Sequence, residues 1–255
     1  MDKDNRKVAS KTTYKHIISK DINDSAAYVA GLIDGKGFFT FRQGTPLYIY
    51  GSTTFETTKF LSQYFDIPLY KSQRLTSGGR VYYQVTLTPT SLRVLAQNPF
   101  LIIKRNQLQS INKIVLQQQP QRSTFYFCPK VFCGDENWTD EYLAAVIDSC
   151  GSLSVEDNGN LKSLVLQSKD AQFLFLLYNV LLSKGISSRI CGKRLFLGKK
   201  ATLKLLNLVK SRLLARKDIA ELLCRINEWG KLYDITHIDK VKLDILRKRN
   251  IGFLQ

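Results

Sequence analysis

Tyr28-Val29-Ala30-Gly31-Leu32-Ile33-Asp34-Gly35-Lys36-Gly37 decides the fold, because it recurs without a gap as Tyr142-Leu143-Ala144-Ala145-Val146-Ile147-Asp148-Ser149-Cys150-Gly151. Each copy is a short apolar run that includes two small neighbours, Ala30 and Gly31 in the first and Ala144 and Ala145 in the second. The punctuation is that of a helix in both places. Asp24 or Ser25 serves as N-cap for a helix from Ser25 to Ile33, and Gly37 lies just past its end. Thr139 caps a helix from Tyr142 to Ile147, with Asp140 and Glu141 in the first turn, where the helix dipole favours carboxylates, and Gly151 follows.

What comes after each copy recurs as well. In the first half, strands Phe38 to Arg42 and Leu47 to Tyr50 flank Gln43-Gly44-Thr45-Pro46, and a helix from Thr54 to Phe65 stops before Pro68. A second hairpin, Tyr70 to Leu75 and Arg80 to Leu87, turns at Thr76-Ser77-Gly78-Gly79. Helices at Thr90 to Gln97 and Ile103 to Gln118 follow. In the second half the same order reads Ser152 to Val155 and Leu161 to Leu166, a helix from Ala171 to Lys184, then Ser188 to Cys191 with Arg194 to Leu197. Basic helices Lys199 to Leu214 and Ile219 to Leu232 close it. The chain is therefore an internal repeat of helix, hairpin, helix, hairpin and helices, α+β in class. Its expected parts are a basic N-terminal tail at 1–22, a first half at 23–118, a connector at 119–137, a second half at 138–236 and a basic C-terminal tail at 237–255. The connector is assigned from its Pro, Gly and Gln content and its length.

The paired motifs, with the element order behind each, resemble the LAGLIDADG homing endonucleases and related intron maturases over roughly residues 25–235. Small residues at Ala30, Gly31, Ala144 and Ala145 suit the close helix pairing that gives this family its pseudo-twofold axis. The resemblance implies two antiparallel sheets forming a saddle for nucleic acid in a monomer with internal symmetry. It also implies that the residue before the final Gly of each motif is a metal-binding carboxylate in active relatives, where divalent metal activates water for phosphodiester cleavage. Here those positions are Lys36, before Gly37, and Cys150, before Gly151. An ammonium excludes Mg²⁺ and a thiol does not favour it. Asp34 and Asp148 lie two residues earlier, about 200° around the helix, and are poor replacements. Glu56, Asp66, Glu156 and Asp157 remain as formal candidates for a rebuilt metal site. The expectation is a fold kept and a chemistry lost, with no catalytic residue and no cofactor. The alternative is a site-specific double-strand DNA endonuclease with an atypical Mg²⁺ site.

Charge points to the partner. With 38 Lys and Arg against 21 Asp and Glu, the net charge is +17. The excess is uneven, since no carboxylate occurs between Asp66 and Asp135 or between Asp170 and Asp218. Single-sign tracts create a field suited to a polyphosphate. The candidate contacts are Arg42, Lys71, Arg74, Arg80, Arg189, Lys193, Arg194, Lys199, Lys200 and Lys204. Basic tails at both ends, which a DNA saddle alone does not require, favour structured RNA over DNA. Tyr48, Tyr50, Tyr82 and Tyr83, on expected strands, are candidates for base stacking, against ordinary cross-strand packing. Ribosomal proteins are candidate neighbours, no membrane is expected, and the resemblance implies an organelle, the mitochondrion ahead of the chloroplast. Five scattered cysteines give no disulfide framework, and Cys128 with Cys133 has no second pair to make a zinc site.

Overall fold

The computed structural model describes residues 22–75, 81–117, 138–155 and 161–229, except for the side chains at 22–24, 73–75, 112–117 and 228–229. The first half runs α1 (Ile22–Gly35), β1 (Phe38–Arg42), β2 (Thr45–Ser52), α2 (Phe55–Tyr64), β3 (Tyr70–Leu75), β4 (Val81–Leu87), α3 (Pro89–Ala96) and α4 (Arg105–Gln117). The second runs α5 (Asp140–Cys150), β5 (Gly151–Val155), β6 (Leu161–Gln167), α6 (Ala171–Ser183), β7 (Arg189–Cys191), β8 (Arg194–Gly198), α7 (Lys199–Val209) and α8 (Lys217–Trp229). Each half folds its strands into one antiparallel sheet, ordered β1-β2-β4-β3 and β5-β6-β8-β7. The two orders are the same, as the repeat requires.

Alternation along the strands separates two faces. Tyr48 and Tyr50 of β2 and Val85 and Leu87 of β4 are fully buried, as are Leu164 of β6 and Leu195 and Leu197 of β8. These residues meet α2 and α3 in the first half and α6 and α7 in the second. The opposite, open face carries Phe38, Thr40 and Arg42 from β1, paired with Ile49, Leu47 and Thr45 of β2. In the second sheet it carries Ser152, Ser163, Val165, Gln167, Arg194, Phe196 and Arg189.

The halves join through α1 and α5. Val29, Ala30, Leu32 and Ile33 of α1 and Ala144, Ala145 and Val146 of α5 are buried in one core from which water is excluded. A Cβ at Gly31 would lie 2.8 Å from the Cβ of Ala145 and closer still to the Tyr142 carbonyl oxygen. The small residues of the motif thus have a concrete reason: the helix backbones touch there.

Several expected boundaries move. Helix α1 begins at Ile22, so Asp24 and Ser25 lie inside it rather than at its cap. Helix α2 ends before Pro68 is reached, because Asp66 turns left-handed (φ 49°) and Ile67 donates back to the Ser62 carbonyl (2.9 Å). Gly185 (φ 66°) ends α6 in the same way, with Ile186 donating to Leu181 (2.7 Å). Helix α7 stops at Val209, short of Leu214: the Arg212 amide tightens onto the Val209 carbonyl (2.8 Å), and the amides of residues 214–216 are committed to the Asp148 carboxylate. The connector, most of the N-terminal tail, the C-terminal tail, Glu156, Asp157, Arg80, Cys128 and Cys133 lie outside the described residues.

Candidate functional site

The motif carboxylates are structural, and each spans the dyad. Asp34 accepts from the amides of Ile102 (2.8 Å), Ile103 (3.2 Å) and Lys104 (2.8 Å), just before α4, and from the Tyr142 hydroxyl of the other half (2.8 Å). Asp148 accepts from the amides of Leu214 (2.7 Å), Ala215 (3.2 Å) and Arg216 (3.1 Å), just before α8, and from the Tyr28 hydroxyl (2.7 Å). Tyr28 and Tyr142 open the two copies of the motif, so the repeat exchanges one hydrogen bond in each direction. Burial raises the pKa of both carboxyls, while the amides and hydroxyls oppose the rise, aided by Lys104 at Asp34 and by Arg216 at Asp148.

Two cations, the half-buried Lys104 and the buried Arg216, close the lower ends of the motif helices. The Lys104 ammonium donates to the carbonyls of Ile33, Lys36 (3.1 Å) and Gly37 (3.0 Å) and to the Tyr48 hydroxyl (3.0 Å). Arg216 donates to the carbonyls of Asp148 (2.6 Å) and Gly151 (2.6 Å), and its guanidinium stands 3.7 Å from the Asp148 carboxylate. Neither helix has a basic residue in its own last turn. Cations from the distant segments therefore supply the positive charge that a helix C-terminus favours. Lysine brings one compact charge and is helped by Tyr48; arginine reaches both carbonyls unaided.

Sequence reasoning missed this pair. A signal was present: Ile102-Ile103-Lys104-Arg105 and Leu214-Ala215-Arg216-Lys217 stand at matching places before the last helix of each half.

Lys36 and Cys150 flank that floor. Burial and the nearby Arg216 charge bring the Lys36 ammonium down to about 8, partly opposed by Cys150. Burial pushes the Cys150 thiol up to about 11, so it is protonated at neutral pH and donates to the Val146 carbonyl (3.2 Å). An ammonium and a protonated thiol are not a donor set for Mg²⁺, which takes oxygen ligands. Among the described residues, no three His, Cys, Asp or Glu side chains come together. Glu56 and Asp66 stand in the first turn of α2 and just beyond its end, with the helix layer rather than at the floor. The closing glycines differ. Gly37 has φ +91° and leaves no room for a Cβ beside the Tyr48 ring, whereas Gly151 is extended and is constrained only by the Ile147 backbone.

The basic candidates divide between the faces. Arg42, Arg189 and Arg194 are exposed on the open face, with the Arg189 guanidinium 5.6 Å from the Phe196 ring centre. Lys193 is exposed in the β7–β8 turn. Lys71 pairs with Tyr83, whose ring meets Phe55 of α2, so it belongs to the helix side. Lys199, Lys200 and Lys204 are exposed on α7, and the Lys204 ammonium donates to the Gly185 carbonyl (3.0 Å). Arg74 lies on β3, but its side chain is outside the description. Tyr48 and Tyr50 are fully buried and Tyr83 is packed on Phe55, so of the four candidate stacking tyrosines only Tyr82 is on the open face.

Solved structures share this fold. I-AabMI, a LAGLIDADG meganuclease bound to uncleaved DNA, is 12% identical over 90% of this chain and 99% of its own, with a TM-score of 0.54. The chain has the LAGLIDADG fold. I-SmaMI, bound to an uncleaved DNA target in the presence of calcium ions, is 11% identical over 87% of this chain and 97% of its own, at a TM-score of 0.51. No protein-family profile matches the sequence, and no curated protein does. In this chain, the motif residues first account for packing and for the dyad hydrogen bonds.

Proposed function

We propose that the chain is a non-catalytic nucleic-acid-binding protein that keeps the LAGLIDADG saddle and has given up phosphodiester cleavage. The observation that carries this reading is the floor of the helix pair. Lys36 and Cys150 stand where the family resemblance expects metal-binding carboxylates, and Lys104 and Arg216 add two cations around the same helix ends. Positive charge held there opposes a divalent ion.

The polyanion we propose is structured RNA in an organelle, the mitochondrion before the chloroplast, with the protein acting as an intron maturase or as a ribosomal or other ribonucleoprotein component. Support comes from the net charge of +17 and from basic sequence beyond both ends of the repeat. Crosslinking in native extract followed by sequencing of the bound nucleic acid tests it. Intron or ribosomal RNA reads are expected; DNA reads alone would overturn the RNA assignment.

One observation favours a second reading, a site-specific DNA endonuclease: I-AabMI and I-SmaMI were both solved on DNA targets. Plasmid nicking or cleavage by the unaltered protein with Mg²⁺, abolished by a chelator, would establish it. Under the leading reading the double variant Lys36→Asp, Cys150→Asp binds RNA as the parent does, and the parent cleaves nothing.

A further inference from the structure

The open face of the first sheet is unlike that of the second. Phe38 is 58% exposed and Tyr70 56%, although both lie on regular strands. Register places them on one surface: Phe38 pairs with Ile49, Ile49 with Thr86, Gly51 with Gln84, and Gln84 with Tyr70. Ile49 sits between the buried Tyr48 and Tyr50, which fixes that surface as the one turned away from the helices. Tyr82 joins it. Its ring lies over Gly51, where an added Cβ would meet Tyr82 Cε1 at 2.7 Å, so the glycine makes room for an aromatic ring laid across the sheet.

Phe38, Tyr82 and Tyr70 thus present rings on one face, with Leu47 and Ile49 half-buried among them. Among the described side chains of its strands, Arg42 is the one cation on this face. The second sheet offers a single ring there, Phe196, covered by the Arg189 guanidinium, together with Arg194, Val165, serines and Gln167.

A duplex presents phosphates outside and hydrogen-bonding base edges in its grooves. Rings and aliphatic side chains match little of that. They match the flat faces of unpaired bases, which are exposed only where a strand is not in a helix. The cations are placed to hold the accompanying backbone: Arg42 at the far end of β1, and Arg189 and Arg194 on the other sheet. On a chain of net charge +17, the complementary occupant of an aromatic surface rimmed in this way is nucleic acid rather than a neutral apolar protein.

We infer that the first-half sheet is a stacking platform for unpaired nucleotides, with Phe38, Tyr70 and Tyr82 as its rings, so that the protein selects RNA containing a single-stranded loop over continuous duplex. This rests on the nucleic-acid-binding reading above and makes its ligand specific.

Fluorescence anisotropy of the full chain tests it with two RNAs: a hairpin with an internal loop of unpaired purines, and the same hairpin with that loop fully paired. 2-Aminopurine placed in the loop reports stacking. The looped RNA is expected to bind at least tenfold more tightly, with quenched 2-aminopurine fluorescence. Phe38→Ala and Tyr70→Ala should each weaken it by about tenfold or more. Phe38→Tyr should restore the Phe38 site, and the salt dependence of binding should stay unchanged, because every cation that meets a phosphate is still in place. Both rings are more than half exposed, so the variants should retain the parent melting temperature. Equal binding of paired RNA, with both alanine variants silent, would overturn the platform while leaving nucleic-acid binding intact. Failure to bind either RNA or duplex DNA would overturn the underlying reading as well.

Discussion

Asp34 and Asp148 are the residues that a catalytic reading of the motif would reach for first, yet each is consumed by four hydrogen bonds that fasten the last helix of its half to the dyad. Removing either strands a buried tyrosine hydroxyl and three amides at once, and removing Asp148 also takes the carboxylate from the buried Arg216. Asp148→Ala should cost about 3–5 kcal/mol, with Arg216 left unpaired, and Asp148→Asn less, because one oxygen still accepts. Urea denaturation of both variants measures the difference, and equal costs would show that hydrogen-bond acceptance at this position contributes nothing. Lys36 gives a pH prediction. Its folded-state pKa is about 8, below the ordinary 10.5. Below pH 8 both folded and unfolded chains hold the proton, and the burial penalty is present in full. Between pH 8 and 10.5 the folded chain releases it first, so the unfolded chain binds more protons and stability rises with pH. Lys36→Met should therefore be more stable than the parent at pH 7, by roughly 1–3 kcal/mol, with the gap closing by about pH 10.5. Thermal melts of both proteins across that range check it, and a gap that stays constant with pH would contradict the assignment.

Helix ends show which parts of the fold are legible in the sequence. The two halves end their second helices with the same back-turning hydrogen bonds, but the left-handed position is Gly185 in one and Asp66 in the other. A non-glycine residue there carries a strain of about 1 kcal/mol. Asp66→Gly should recover part of it, raising stability by a few tenths to about 1 kcal/mol in urea denaturation, whereas Gly185→Ala should lose a comparable amount. In the sequence Pro68 reads as the stop for α2, and the true signal at Asp66 is hidden because aspartate tolerates the conformation without advertising it as glycine does. The motif helices and both hairpins of each half are readable because their signals are local: small residues, the Thr139 cap, and turns such as those at Gly44 and Gly78-Gly79. The overextension of α7 has the opposite cause. Leu213 and Leu214 prolong its apolar pattern, but the amides that would continue the helix bond to Asp148, a partner far away in the chain. Lys104 and Arg216 escape for the same reason. Each reads locally as one more base in an acid-free tract, and only the packed dyad shows it set against helix carbonyls.

At the scale of the molecule, the surplus charge does at least two separate jobs. Lys104 and Arg216 place theirs at helix termini, and Lys204 at the end of α6. Arg42, Arg189 and Arg194 face outward from the open sheets. Net charge alone cannot tell these groups apart, but the salt dependence of binding can, since only cations that neutralise phosphates release counterions on association. The double variant Arg189→Ala, Arg194→Ala should weaken RNA binding at low salt and reduce the slope of log K against log salt by about two, one for each cation withdrawn from a phosphate. Lys71→Ala and Lys204→Ala remove the same formal charge from the helix side. They should leave both affinity and slope close to the parent, although Lys204→Ala gives up its bond to Gly185 and should lower the melting temperature slightly. Anisotropy titrations at several salt concentrations separate the cases. If the helix-side variants flatten the slope and the open-face pair does not, the nucleic acid lies across the helices, and the saddle is not the binding surface of this chain.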